Sequence, residues 1–313
     1  MKRLQNIVAE SRQALPIATL YGLAVWLMAG AIQKEWWIQM GCFLLSVLLM
    51  MHLNNKNLLI RIYSRSVSVT FILLSCAAVF LFPSLSGNIL QVCMIASLVV
   101  LCSCYQDNTT VGLTYYCFLL LGLGSCADVY FLWFVPVYWL LMAIIVYSLS
   151  WRTFFASLLG LLTPYWFLAT WLLFTDEGSL TALADHFAAL TDLQIPDFNL
   201  QLLFPSLLFL GLLTCMGIMG CIHFVRTSYL DKIRVRQLYY GFMLLGAFSL
   251  AGIALQPQHF DMFVRMLIIS TSPLFGHFAA LTHTKLTNVT CLVLTALIVV
   301  LTAYNLWISS SPF

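Results

Sequence analysis

The chain has 313 residues, 62% of them hydrophobic and only 8% charged, with a mean hydropathy of +0.97 and a formal net charge of +3. A water-soluble domain carries about a quarter of its residues as Asp, Glu, Lys and Arg, so lipid is the solvent for most of this one. At about 20 residues per crossing little chain is left for a soluble domain, and nothing in the charge balance points to nucleic acid.

Apolar runs bounded by charges, Pro, Asn or Gly predict eleven spans: 15–32, 36–53, 66–82, 89–105, 111–127, 130–149, 154–174, 202–224, 238–255, 263–281 and 289–308. Unpaired backbone groups in hydrocarbon cost several kcal/mol each, so spans of this length are helices rather than open strands. The expected class is all-α, a polytopic transmembrane helix bundle, with residues 1–313 as a single transmembrane domain. The first apolar run, behind Lys2 and Arg3, lacks a small-x-small cleavage site and reads as a first span, not a cleaved leader. Trp36, Trp37, Trp151 and Trp307 fall at span ends, where an interfacial aromatic belt sits.

Charge placement tests this count independently, because Lys and Arg accumulate in cytoplasmic loops. With eleven spans, the N-terminus and the even-numbered loops share one side and hold 12 of the 14 basic residues: Lys2, Arg3, Arg12, Lys56, Arg61, Arg65, Arg152, Arg226, Lys232, Arg234, Arg236 and Lys285. The other side keeps Lys34 and, just inside the tenth span, Arg265, but collects eight of the 11 acids. This predicts a cytoplasmic N-terminus and an outside C-terminus. The number of crossings between the basic loops around Arg61 and Arg234 must be even, so spans 111–127 and 130–149 stand or fall together, and nine spans is the alternative.

The long outer loop, 175–201, contains no Lys or Arg. Leu180, Leu183, Phe187 and Leu190 recur there at helical spacing opposite Asp185 and His186, which predicts a short interfacial helix. Gly122 with Gly124, and Gly217 with Gly220, are the small residues that close helix packing uses in lipid.

Ionisable groups at membrane depth are the default functional candidates, since one at a span centre costs about 2.5 to 3.5 kcal/mol even on the gentler scales. The tenth span carries Arg265, Ser270, Thr271, Ser272, Pro273 and His277. Pro273 removes a helical hydrogen bond and bends the helix. Arg265, Ser272 and His277 are therefore candidate ligand contacts, with Arg265 holding an anionic headgroup or phosphate. The competing expectation is that Arg265 snorkels to the outer interface and His277 is a neutral packed histidine.

Asp128, at the tight junction between two short spans, is the candidate catalytic residue, as the base of a transferase acting on polyprenyl-linked donors. Its competing role is to cap the helix that follows. Asp107 to Thr110 reads as a cytoplasmic turn ending in an N-cap, and the basic stretches 56–65 and 226–236 attract anionic headgroups at about 1 kcal/mol per charge. The ten cysteines fall nearly all inside apolar runs, without a CxxC pair or a histidine at metal-ligand spacing, and read as small buried hydrophobes. No Walker, GxSxG, HExxH or haem-attachment motif occurs, so no cofactor or metal is expected. Membrane lipids, and proteins within the membrane, are the expected partners.

The run from Asp107 through Gly122, Gly124, Asp128 and Trp133 to Trp151-Arg152-Thr153-Phe154 and Gly160-Leu161-Leu162-Thr163-Pro164-Tyr165 resembles an uncharacterised family of multi-pass inner-membrane proteins from Bacteroidota. An aromatic helix pair, an Arg-containing turn and a Gly-x-x-x-Pro-aromatic helix carry the resemblance, over about the middle third of the chain. It implies location and class, and it supplies no activity and no site residues. Three functional classes follow from the sequence: an accessory or structural membrane subunit, a transport-type protein for a lipid-like or amphipathic molecule, and a membrane-embedded transferase.

Overall fold

A computed structural model describes residues 3–174, 180–188, 190 and 204–310. The described residues are helical with no strand, and the protein is a membrane protein. Among the described residues seven helices are long and apolar enough to cross a bilayer: α3 (Trp37–Asn57), α5 (Leu85–Leu101), α8 (Trp151–Phe174), α10 (Phe204–Thr227), α11 (Ile233–Leu255), α12 (Phe260–Leu281) and α13 (Lys285–Ser310). Shorter apolar helices are α2 (Ala14–Met28), α4 (Ser66–Ala77), α6 (Val111–Ala127) and the composite segment Val129–Ile145, which contains α7 (Phe134–Leu140). The remaining helices are α1 (Leu4–Glu10) and α9 (Leu180–Ala188), the latter within the 175–201 segment, the rest of which, apart from residue 190, lies outside the described residues.

Local sequence sets the helix ends. Gly30 at φ 88° turns the chain after α2, and Leu58 at φ 49° closes α3 in the left-handed region. The Ser84 hydroxyl caps α5 by accepting from the Gly87 amide at 3.1 Å. Before α6, Asp107 Oδ1 accepts from the Thr109 hydroxyl at 2.6 Å and its amide at 2.8 Å. Those two bonds, the hydroxyl's first, hold the Asp107 carboxyl below the ordinary carboxylate range. Pro136, with no amide hydrogen to give, sits in the first turn of α7, where no partner is needed. The chain enters that helix through a 3-10 stretch, Val129–Trp133, and leaves it through a π turn, Leu141–Ile145.

Contacts along the helices fix their directions. Gly160 of α8 lies against the Tyr115 carbonyl and the Leu119 amide of α6, and a Cβ on Gly122 would stand 2.8 Å from the Leu161 carbonyl oxygen. Further along, the Tyr165 hydroxyl donates to Ser125 Oγ at 2.7 Å. These contacts rise in step, so α6 and α8 are parallel, and the segment 129–145 between them returns over their common length. The same logic makes α10 and α12 parallel, through Gly217 on Thr271 and Gly220 on Leu274, with α11 antiparallel between them through Gly246 on Ser270 and Gly252 on Phe263.

The bundle consequently has two distinct ends. At one, the Gln5 side chain donates to the Thr282 carbonyl at 2.6 Å, the Gln106 amide to the Val146 carbonyl at 2.8 Å, and Arg234 Nη2 to Asn57 Oδ1 at 3.0 Å. This end gathers α1, the α3–α4, α5–α6 and α10–α11 turns, the start of α8 and the α12–α13 turn. At the other end Trp26 stacks on Phe82 at 3.9 Å, the Asn305 side chain donates to the Ala77 carbonyl at 2.6 Å, and Tyr130 meets His259 at 3.7 Å. The helix α12 is the axis: 94% of its most apolar window is buried, against 22% for α8 and for α13. Close packing around it uses Gly217, Gly220, Gly246 and Gly252, because in lipid the approach of helix backbones replaces the hydrophobic drive.

Candidate functional site

Arg265 is 2% exposed, its guanidinium enclosed by protein groups. Its Nε donates to Asp261 Oδ1 at 2.8 Å, one turn back on α12, and Nη1 donates to Asn88 Oδ1 at 3.1 Å and Gln91 Oε1 at 3.4 Å on α5. Nη2 donates to the Leu81 carbonyl, which the end of the α4 segment leaves without a helical partner. Gly87 provides the room, since any Cβ there would collide with the guanidinium. The cation expected to hold an anionic headgroup is thus occupied by protein groups, and it clamps α4 and α5 to α12. Ser272 is likewise buried and spends its hydroxyl on the Ile268 carbonyl at 2.6 Å within its own helix.

Asp128 caps the 3-10 stretch that follows it, accepting the Tyr130 amide at 3.1 Å. Asn accepts equally well at a cap, whereas Ala cannot. Asp128→Asn is therefore expected to leave the melting temperature of the purified protein within about 1 °C, while Asp128→Ala loses about 1 kcal/mol. Scanning fluorimetry of the two variants in detergent checks this. On α9, His186, expected on the outward polar side, instead docks inward, its Nε2 3.0 Å from the Ser125 carbonyl oxygen, and Phe187 packs on Tyr165 at 4.8 Å.

His277 lies about 18 Å from Arg265 along α12, at 1.5 Å per residue, so the structure does not bring these two candidates into one site. It places His277 at the basic end, fully buried, with Nε2 3.1 Å from Asp231 Oδ2. The Asp231 side chain, from the α10–α11 turn, is itself only 2% exposed, and its other oxygen is 3.9 Å from Arg61 Nε. His223 of α10 stands beside the pair, its ring centre 5.4 Å from that of His277. Neither His277 Nδ1 nor His223 Nε2 has a hydrogen-bond partner among the described residues.

Above this buried chain opens a groove of ≈ 550 Å³ between the α3–α4 and α10–α11 turns, lined by Lys56, Arg61, Tyr63, Asp231, Lys232 and Arg234 among others. Four cations against one carboxylate leave the lining three charges positive, and the first turn of α11 adds the positive end of its dipole. Two of the cations are tied down: Lys56 donates to Ser103 Oγ at 2.8 Å, and Arg234 to both Asn57 and the Cys102 carbonyl at 3.0 Å. Arg61, with its side chain 35% exposed, and the exposed Lys232 face the opening. Such a site suits one phosphate or similar anion, held by charge-assisted hydrogen bonds.

Both basic stretches were visible in the sequence; their convergence was not, because 177 residues separate Asn57 from Arg234. The signal that marks the centre is Asp231, an acid placed among Arg226, Lys232, Arg234 and Arg236. No family model, no curated protein and no solved structure matches this chain.

Proposed function

We propose that the chain is a bacterial inner-membrane protein of eleven crossings, N-terminus in the cytoplasm and C-terminus outside, and that it is a transport-type protein for an anionic, lipid-like molecule. The observation that carries the transport reading is the basic groove, which sits above a buried carboxylate–histidine pair at one end of the bundle. Eleven crossings are supported by alternating helix directions and by the parallel course of α6 and α8, which argues against the nine-span alternative. Twelve of 14 basic residues then fall on the groove side, the arrangement of a cytoplasmic face. The run from Asp107 to Tyr165 supports membership of the Bacteroidota inner-membrane family, and with it the location.

Lipid and metabolite profiling of a deletion strain tests the reading. The profile is expected to return to normal with the wild-type gene and not with an Arg61→Gln/Lys232→Gln double variant; full restoration by that variant removes the groove from the function. An alkaline phosphatase fusion after Asp128 is expected to be active, and a fluorescent protein fused after Lys232 to fluoresce; an inactive phosphatase there reinstates nine spans.

The accessory-subunit reading draws on one feature, the outward face of α8, where Trp166, Phe167 and Phe174 are all well over half exposed. Isolation from mild detergent without a stable protein partner sinks that reading. The transferase reading rests on Asp128 alone, whose carboxylate is engaged in the cap.

A further inference from the structure

The buried pair beneath the groove has a chemistry of its own. An ionised carboxylate only accepts hydrogen bonds, so Asp231 requires the N–H of His277 to be on Nε2. That leaves the lone pair of His277 on Nδ1, which has no partner among the described residues. The groups that face His277 are Asp231 from the α10–α11 turn, Arg61 behind it from the α3–α4 turn, His223 from α10 and Tyr239 from α11, with ring centres at 5.4 and 5.1 Å for the last two. From α4 the neighbours are uncharged, with the Ser66 hydroxyl on the Gly276 carbonyl at 2.9 Å.

We propose that His277, paired with Asp231, is a proton-binding site coupled to anion occupancy of the groove, so that the transported anion and a proton bind together. The inference rests on the groove being an anion site. When Nδ1 takes a proton, the imidazolium cancels the charge of Asp231, and Arg61 is freed from the carboxylate to meet an anion. When the proton leaves, Asp231 again competes with the anion for Arg61. Each ligand therefore raises the affinity for the other, by thermodynamic reciprocity.

The test uses the full chain in a non-ionic detergent and dihexanoyl phosphatidylglycerol as probe, whose phosphodiester keeps one charge throughout the range in which histidine titrates. Calorimetric titrations in two buffers of different ionisation heat are expected to show uptake of roughly half a proton per probe bound near the histidine midpoint, the most that a tenfold coupling allows. Affinity is expected to tighten roughly tenfold between about pH 8 and about pH 5.5, within the usual span of coupling energies. His277→Gln, which keeps an N–H for Asp231, is expected to bind the probe with no proton uptake and no pH dependence. If that variant does not fold, the proton count on the wild-type protein decides alone. Binding by wild type with equal affinity at both pH values and no uptake removes the proton link and leaves the groove reading intact. Absence of binding at either pH removes both. Inorganic phosphate, run as a second probe, is expected to bind more weakly than the lipid; equal binding makes the ligand a free anion and removes the lipid from the transport reading.

Discussion

Replacing Arg265 by methionine is expected to cost about 3 to 5 kcal/mol, the loss that follows when one partner of a buried charged network is removed. Four acceptors lose their donor together: Asp261, Asn88, Gln91 and the Leu81 carbonyl. Three of them remain enclosed by the packing of α5 against α12. Arg265→Lys is expected to recover less than half of the loss, because one ammonium cannot reproduce a planar fork that spans two helices and a turn. Thermal unfolding in detergent, followed by tryptophan fluorescence, measures both. An Arg265→Lys protein as stable as wild type contradicts the clamp. The same variants should leave probe binding at the groove unchanged in whatever fraction remains folded, which separates the clamp from the groove.

The second large effect is expected at Gly160. Its Cα faces backbone atoms of α6, the Tyr115 carbonyl and the Leu119 amide, so an added methyl group meets main chain that cannot rotate away. Gly160→Ala forces α6 and α8 apart, at about 1 to 3 kcal/mol for overpacking, and Gly160→Leu is expected to prevent folding. Gly41→Ala and Gly211→Ala are the controls, since a Cβ at either position meets nothing within 4 Å. Protein yield from membranes and melting temperature report the difference. Equal behaviour of Gly160→Ala and Gly41→Ala contradicts the close approach.

Much of the fold was legible in the sequence because hydropathy and helix length carry it. Each of the eleven apolar runs corresponds to one of the seven long or four shorter apolar segments, including the interrupted one at 129–145. Hydropathy records only that a segment avoids water. It does not distinguish lipid from protein, so α12 and α13 read alike although one is the axis and the other lies largely on the periphery. The polar residues of the tenth span were the visible sign of that difference, because residues such as Ser270, Ser272 and Arg265 are tolerated where neighbouring helices supply partners. Those partners were hidden. Arg265 meets residues 174 to 184 positions away, and His277 meets an acid 46 positions away, distances over which periodicity carries no information. Arg265, Ser272 and His277 are neighbours along one helix in the sequence, but Arg265 is engaged towards one end of α12 and His277 towards the other.

The short segments have a consequence for the surrounding bilayer. Ten of the 12 residues of α4 are buried, so its length is matched by protein neighbours. The helix α2, by contrast, puts Ile17, Leu20 and Met28 outward and is only 15 residues long, about 22 Å. The 17 residues of α6, with Tyr116 and Leu123 outward, reach about 25 Å. On the eleven-crossing reading proposed above, a hydrocarbon core of about 30 Å exceeds both, and the membrane next to them accommodates by thinning. On that reading acyl chains around this protein are compressed unevenly, least beside α8 and α13 and most beside α2 and α6. Its folded lifetime should accordingly lengthen in short-chain lipids and shorten as the host bilayer thickens.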